Sequence, residues 1–269
     1  MALPLRDDTP TRHIPWVTFT LILVNVLVFL FLQPASLQGG GSDRNDLTHR
    51  QSRAVDRFEY QWGVVPCEIA RGQPLSSGIT CNGLPNGSRP TGHKYVLLSL
   101  LTSMFIHGSI LHLAGNMLFL WVFGAAVEDR IGPVPYLFLY LLTGVTAVLG
   151  HAAFHWHDAV PVLGASGAIA GLMGAYLVFR PRGRVLSVIL WTVVYVPAWA
   201  LLGLFFVTQF LTPDSAGVAW EAHAVGMLAG FVFALGLARI FPDPLAPAAA
   251  AVVPVTSDPW TLPSGPPAA

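Results

Sequence analysis

Gly164-Ala165-Ser166-Gly167-Ala168-Ile169-Ala170-Gly171-Leu172-Met173-Gly174 is an uncharged run with a single hydroxyl. The glycines at 167, 171 and 174 fall four and three residues apart, so on a helix they share one face. A face without side chains lets a second helix approach closely, as membrane helices do. Ser166 opens this helix, where backbone N–H groups are unpaired and the dipole is positive, so it can stabilise an oxyanion. Taken alone, Ser166 also fits a packing or capping serine.

The surroundings decide that the run lies in lipid. The chain has 269 residues, 54% hydrophobic and 10% charged, with a mean hydropathy of +0.60. A soluble globular chain carries about 25% charged residues. The deficit excludes an ordinary cytosolic enzyme and a disordered chain. The balance of 14 Lys+Arg against 14 Asp+Glu speaks against a nucleic-acid partner. No Asp, Glu, Lys or Arg occurs in 13–42, 95–127, 131–157, 159–179, 185–213 or 222–238. A spanning helix needs about 20 mostly apolar residues. The gaps predict an all-α polytopic membrane protein with six helices, near 16–32, 109–128, 135–153, 164–180, 186–209 and 220–240.

The domain organisation follows: a short N-terminus at 1–15, a membrane domain at 16–240 and a Pro/Ala-rich tail at 241–269 that reads as disordered. The competing reading of the first span is a signal peptide. Its apolar core, Trp16–Leu32, is longer than usual and lacks a following Ala-x-Ala. Basic residues gather at Arg6, Arg12, Arg130, Arg180, Arg182, Arg184 and Arg239, while 154–163 and 210–219 have none. The positive-inside rule then places both termini in the cytoplasm of a cell (plasma) membrane protein. The first loop, 33–108, is long. Its early part, Gln33–Arg57, reads as lying in water, and Tyr95–Ile106 as lying along the outer face. Cys67 and Cys81 both fall in this loop, on the oxidising side, as a disulfide or as two unpaired thiols. No adjacent histidine pattern makes them a zinc site, and no metal is expected.

Polar groups inside spans are costly and by default mark function. Besides Ser166 there is Glu221-Ala222-His223-Ala224-Val225-Gly226, followed by Gly230. Gly226 and Gly230 make a second close-packing face, one turn apart, with His223 projecting beside it. The third group is His107, His112 and Asn116. His112 and Asn116 are four apart on one helix face, reaching the same outer depth as Ser166 and His223. Singly, each fits an interhelical hydrogen bond or a wet loop. Jointly they supply a hydroxyl, a base and donors, the parts needed for acyl transfer.

These residues resemble the rhomboid family of intramembrane serine proteases. The resemblance rests on Gly164-x-Ser166-Gly167, on Ala222-His223-x-x-Gly226-x-x-x-Gly230 and on His112-x-x-x-Asn116, with His107 and Glu128-x-Arg130 beside them. It covers about 95–240. It implies a six-helix core of bacterial type that hydrolyses peptide bonds in or near transmembrane segments of single-span membrane proteins, without a cofactor. In that reading Ser166 is the nucleophile, His223 the general base, and His112, Asn116 and the Ser166 N–H the oxyanion hole. Gly164, Gly167, Gly171, Gly226 and Gly230 pack helices closely, and the fifth helix and 210–219 admit substrate. One departure is Ala170, where the family often has an aromatic ring stacked on the catalytic histidine.

Two other classes fit parts of the sequence. A catalytically silent relative would bind membrane clients, although such members typically lack the serine or the histidine. A transporter could use His151, His155 and His157 as an outer metal-loading site, but no repeated halves are visible.

Overall fold

A computed structural model describes residues 3–8, 11–37, 49–84, 93–189, 191–211 and 219–241. The tail beyond 241, the early loop at 38–48 and the segment 212–218 of the expected entrance lie outside the described residues.

Helix α1, Trp16–Leu32, follows Pro15 and closes in a π-turn before Gln33 and Pro34. No side chain of its own caps its start. Glu128, far along the chain, does so instead, accepting the backbone N–H groups of Val17 and Thr18 at 2.9 and 2.7 Å and the Thr18 hydroxyl at 2.7 Å. A carboxylate there satisfies unpaired donors and the positive helix end together. The first loop folds into α2, His49–Trp62, α3, Pro66–Arg71, and α4, Val96–Thr102. Helix α5, Ile110–Ile131, is capped by Ser109 Oγ, which accepts the His112 N–H at 3.1 Å, and contains a π-turn at Leu120–Gly124. Gly132 at φ +82° breaks it, and Pro133 starts α6, Pro133–Phe154. Helix α7 is Ser166–Phe179, α8 is Ala198–Leu211 and α9 is Trp220–Ile240.

Three of these helices, α5, α6 and α9, are long and apolar enough to cross a membrane. Trp16–Leu32, Val96–Phe105, Ser166–Phe179 and Ala198–Gln209 are shorter apolar helices. Large apolar side chains point outward along them, among them Phe31, Phe138, Leu204, Leu228 and Val232. The buried centre is built around Leu120, Phe123, Tyr136, Tyr140, Leu172, Met173 and Tyr176.

The chain is mostly helical, as expected, but the expectation of an all-α protein needs correction. Strands β1 (Leu3–Asp7), β2 (Arg184–Ile189) and β3 (Thr192–Pro197) form an antiparallel sheet in that order, with Asp7 opposite Val185 and Ile189 opposite Thr192. The expected helix at 186–209 therefore begins only at Ala198. Val185, Val188, Ile189, Thr192, Val193, Val194 and Val196 are β-branched and suit a pleated surface. Pro197 ends the hairpin, since it has no N–H to continue a ladder.

The first loop is built against the segment between α6 and α7. Val64 and Val162 exchange backbone hydrogen bonds at 3.1 and 2.7 Å, and the Cys67 N–H donates to the Asp158 carbonyl at 3.1 Å. A disulfide joins Cys67 and Cys81. The buried Lys94 Nζ lies 2.5 Å from Glu68 Oε2 and donates to the carbonyls of Tyr60 and Gly63 at 2.8 and 2.9 Å. Residues 96–105 carry exposed Leu97, Leu98 and Leu101, yet Met104 is buried in the core.

Candidate active site

Helix α7 starts at Ser166 because the two residues before it turn the chain. Gly164 has φ +116°, a conformation that favours glycine, and its N–H donates to the Ser103 carbonyl at 2.8 Å. A side chain on Gly164 would also have no room. A Cβ there would stand 3.0 Å from both Cε1 and Nε2 of His112 and 3.7 Å from Nδ2 of Asn116. The turn that presents Ser166 thus lies directly against the two donor side chains of α5.

Asn116 is buried, and its Nδ2 has no hydrogen-bond partner among the described residues. A buried unpaired donor is costly and calls for a physical account. His112 is half-buried, with its ring 5.2 Å from that of His107, edge to face. His107 is fully buried. Its backbone is clamped by Gln33, whose amide donates to the His107 carbonyl at 2.7 Å and accepts the His107 N–H at 2.9 Å.

His223 enters from the first turns of α9. Helices α7 and α9 meet through backbone. A Cβ on Gly226 would overlap the Gly167 carbonyl, one on Gly230 the Gly171 carbonyl, and one on Gly174 the Met227 carbonyl. Gly171 likewise has no space beside Thr143 of α6, and Gly167 would meet Ala147. The start of α7, with Ser166, and the start of α9, with His223, are thereby held side by side. Ser166 is half-buried.

The His223 ring is positioned by a residue the sequence reading passed over. Gln209, on α8, places Oε1 2.9 Å from His223 Nδ1. The Phe205 ring lies 6.1 Å from the imidazole. Ala170, at the position where the resemblance leads one to expect an orienting aromatic, is buried in the core. Gln209 carried a faint signal: it is the only amide in the uncharged run 185–213. Glu221 does not serve His223. Its carboxylate faces His151 and His155 instead, at 3.4 and 3.1 Å. Glu128 of the Glu128-x-Arg130 motif caps α1, and Arg130 lies over the Phe179 ring at 5.4 Å, so this motif braces helices away from Ser166.

Chemically, the arrangement offers a hydroxyl at a helix start, an imidazole with one nitrogen engaged, and an idle amide donor. These are the elements of acyl transfer.

Residues 95–240 match the family model for the Rhomboid domain. Among curated proteins, the chain is 34% identical over 140 residues to "Rhomboid protease GluP" of Bacillus subtilis, covering 51% of this chain and 25% of that protein. It is 28% identical over 165 residues to "RHOMBOID-like protein 7" of Arabidopsis thaliana, covering 60% and 48%. It is 28% identical over 148 residues to "Presenilin-associated rhomboid-like protein, mitochondrial" of Homo sapiens, covering 51% and 37%. The chain thus spans between a quarter and about half the length of these relatives.

Proposed function

The chain belongs to the rhomboid family, and from that premise we propose that it is an intramembrane serine endopeptidase working through a Ser166–His223 dyad. The membrane domain is 16–240, a bundle in which α1, α5, α6, α7, α8 and α9 all lie in the bilayer. The N-terminus and the tail face the cytoplasm of a plasma membrane, and the substrates are single-span proteins.

The observation that carries this reading is the buried, unpaired Asn116 Nδ2 beside the Gly164 turn. Its idle state is explained if the group it serves exists only during the reaction. Gln209 Oε1 can only accept, so the Nδ1 of His223 carries the proton and Nε2 keeps its lone pair. Nε2 then takes the Ser166 proton as Oγ attacks the substrate carbonyl. The developing oxyanion receives hydrogen bonds from Asn116 Nδ2, His112 and the Ser166 N–H. His223 passes its proton to the leaving amine, and water, activated by the same nitrogen, releases the acyl group. With Glu221 turned toward other histidines, two residues carry the proton traffic.

Depth supports the same reading. Helix α7 has 14 residues, so it is about 21 Å long, against a hydrocarbon layer of about 30 Å. A helix reaching the inner face leaves Ser166 below the outer one, within reach of a substrate helix. A substrate peptide bond must leave its helix to be cut, so segments with Gly or Pro near the outer face unwind at least cost and are preferred.

The test is purified protein in liposomes with a tagged single-span substrate, comparing wild type with Ser166→Ala, alongside fluorophosphonate labelling. Cleavage and labelling by wild type alone are expected. Cleavage by both versions, or labelling at a residue other than Ser166, overturns the assignment.

A further inference from the structure

Glu221, His151 and His155 form a compact cluster where α6 ends and α9 begins. One donor atom from each lies within 4.8 Å of the others. His155 Nε2 stands 3.1 Å from Glu221 Oε1, and His151 Nδ1 stands 3.4 Å from Glu221 Oε2. The two imidazoles stack at 4.4 Å with an interplanar angle of 25°. His151 Nδ1 is buried and makes no hydrogen bond among the described residues, standing 3.4 Å from Glu221 Oε2 as an ion-pair contact only. Opposite, His155 Nδ1 is engaged by Asp158 Oδ2 at 3.0 Å. That bond fixes the ring so that Nε2 faces the cluster.

We propose that this cluster is a zinc-class divalent metal site, with His151, His155 and Glu221 as ligands and Asp158 holding His155 in place. Zinc takes N and O ligands at about 2.0–2.2 Å in a tetrahedron, which spaces donor atoms roughly 3.3–3.5 Å apart. The separations of 3.1 and 3.4 Å, to the two oxygens of Glu221, bring each imidazole to the carboxylate, and one donor atom from each residue lies within 4.8 Å of the others before any ion enters. Two imidazoles and a carboxylate suit zinc among the common divalent metals and leave a fourth position for water or an incoming ligand. The Asp158–His155 bond is the carboxylate–histidine support typical of ligating histidines. Asp158 is itself held, since the first loop pairs with it through the Cys67 N–H.

The site adds a polar tie between α6 and α9, which already pack against each other, Gly150 against Val225. Glu221 comes from 66 residues beyond His155, and an ion between them ties α6 to the turn of α9 that carries His223. The sequence grouping of His151, His155 and His157 missed this, because the carboxylate is supplied from across the fold. His157 is not among the three ligands.

The binding claim is tested without proteolysis. Tag-free wild type, stripped with chelator, is dialysed against micromolar Zn²⁺ and its metal content measured. Co²⁺ is added in parallel to read the visible absorption of a tetrahedral ion. One bound ion per chain is expected. His155→Ala and the isosteric Glu221→Gln should each lose it, Asp158→Asn should weaken it about 10–100-fold, and His93→Ala and His157→Ala should keep it. No stoichiometric ion on wild type, or the same ion retained by both His155→Ala and Glu221→Gln, overturns the site.

Discussion

Gln209 on α8 holds the imidazole of His223 on α9 through a 2.9 Å hydrogen bond to Nδ1. The bond crosses between two helices that otherwise touch little, and it selects the tautomer that leaves Nε2 basic. Gln209 is a positioning residue. Gln209→Ala is expected to lower kcat about tenfold with little change in KM and to displace the pH–rate profile. Gln209→Glu, which keeps an acceptor, should recover most of the rate. An unchanged pH profile in Gln209→Ala would show that the ring is oriented by something else.

Asn116 and His112 are expected to act on the transition state and not on substrate binding. Removing one donor to an oxyanion typically costs about 10²–10³ in rate, or roughly 3–4 kcal/mol. Asn116→Ala and His112→Ala should each lower kcat by that factor, with substrate still co-purifying with the protein. Single-turnover cleavage in liposomes measures this. Unchanged turnover in both would remove the oxyanion assignment.

The contact between α7 and α9 makes a prediction that needs no chemistry. A methyl on Gly230 overlaps the Gly171 carbonyl, which cannot move without moving α7. Gly230→Ala should destabilise by about 3 kcal/mol or more, since overpacking a tight site costs at least 1–3 kcal/mol. Gly236, six residues on in the same helix, has open space where its Cβ would go. Gly236→Ala should be neutral or stabilising by about 0.5–1 kcal/mol. Thermal unfolding in detergent separates the two.

The first loop carries a buried ion pair whose removal has a pH signature. Burial pushes the Lys94 ammonium below its usual pKa, and the Glu68 carboxylate beside it partly offsets this. Glu68→Gln leaves the ammonium without a counter-charge and should destabilise the loop by about 3–5 kcal/mol. A folded-state pKa below the unfolded value means the unfolded chain binds more protons. Stability should therefore rise with pH from the lowered value up to 10.5. Proteolytic resistance of the loop at pH 7 and pH 9.5 measures the trend. A flat response in Glu68→Gln would show that Lys94 reaches water.

What the sequence disclosed follows from the range of the forces involved. Lipid-length apolar runs announce themselves locally, so α5, α6 and α9 were found close to their limits. Ser166, His223, His112 and Asn116 stood out for the same reason, being polar where polarity is costly. The hairpin at 184–197 did not, because an uncharged run of valines reads alike as a buried strand or as half of a span. The role of Gln209 and the histidine partners of Glu221 are not legible for another reason. Their partners lie on other helices, and spacing along one helix says nothing about what faces it across a gap.

The interlock of the first loop with the segment after α6 also bears on how the protein is made. Val64, Cys67 and Asn82 bond to Val162, Asp158 and Ala159, residues synthesised only after α4, α5 and α6. Until they are made, the loop must wait with its backbone edges open. Its closure requires that the intervening chain, α5 and α6 included, has already folded back to bring the two segments edge to edge.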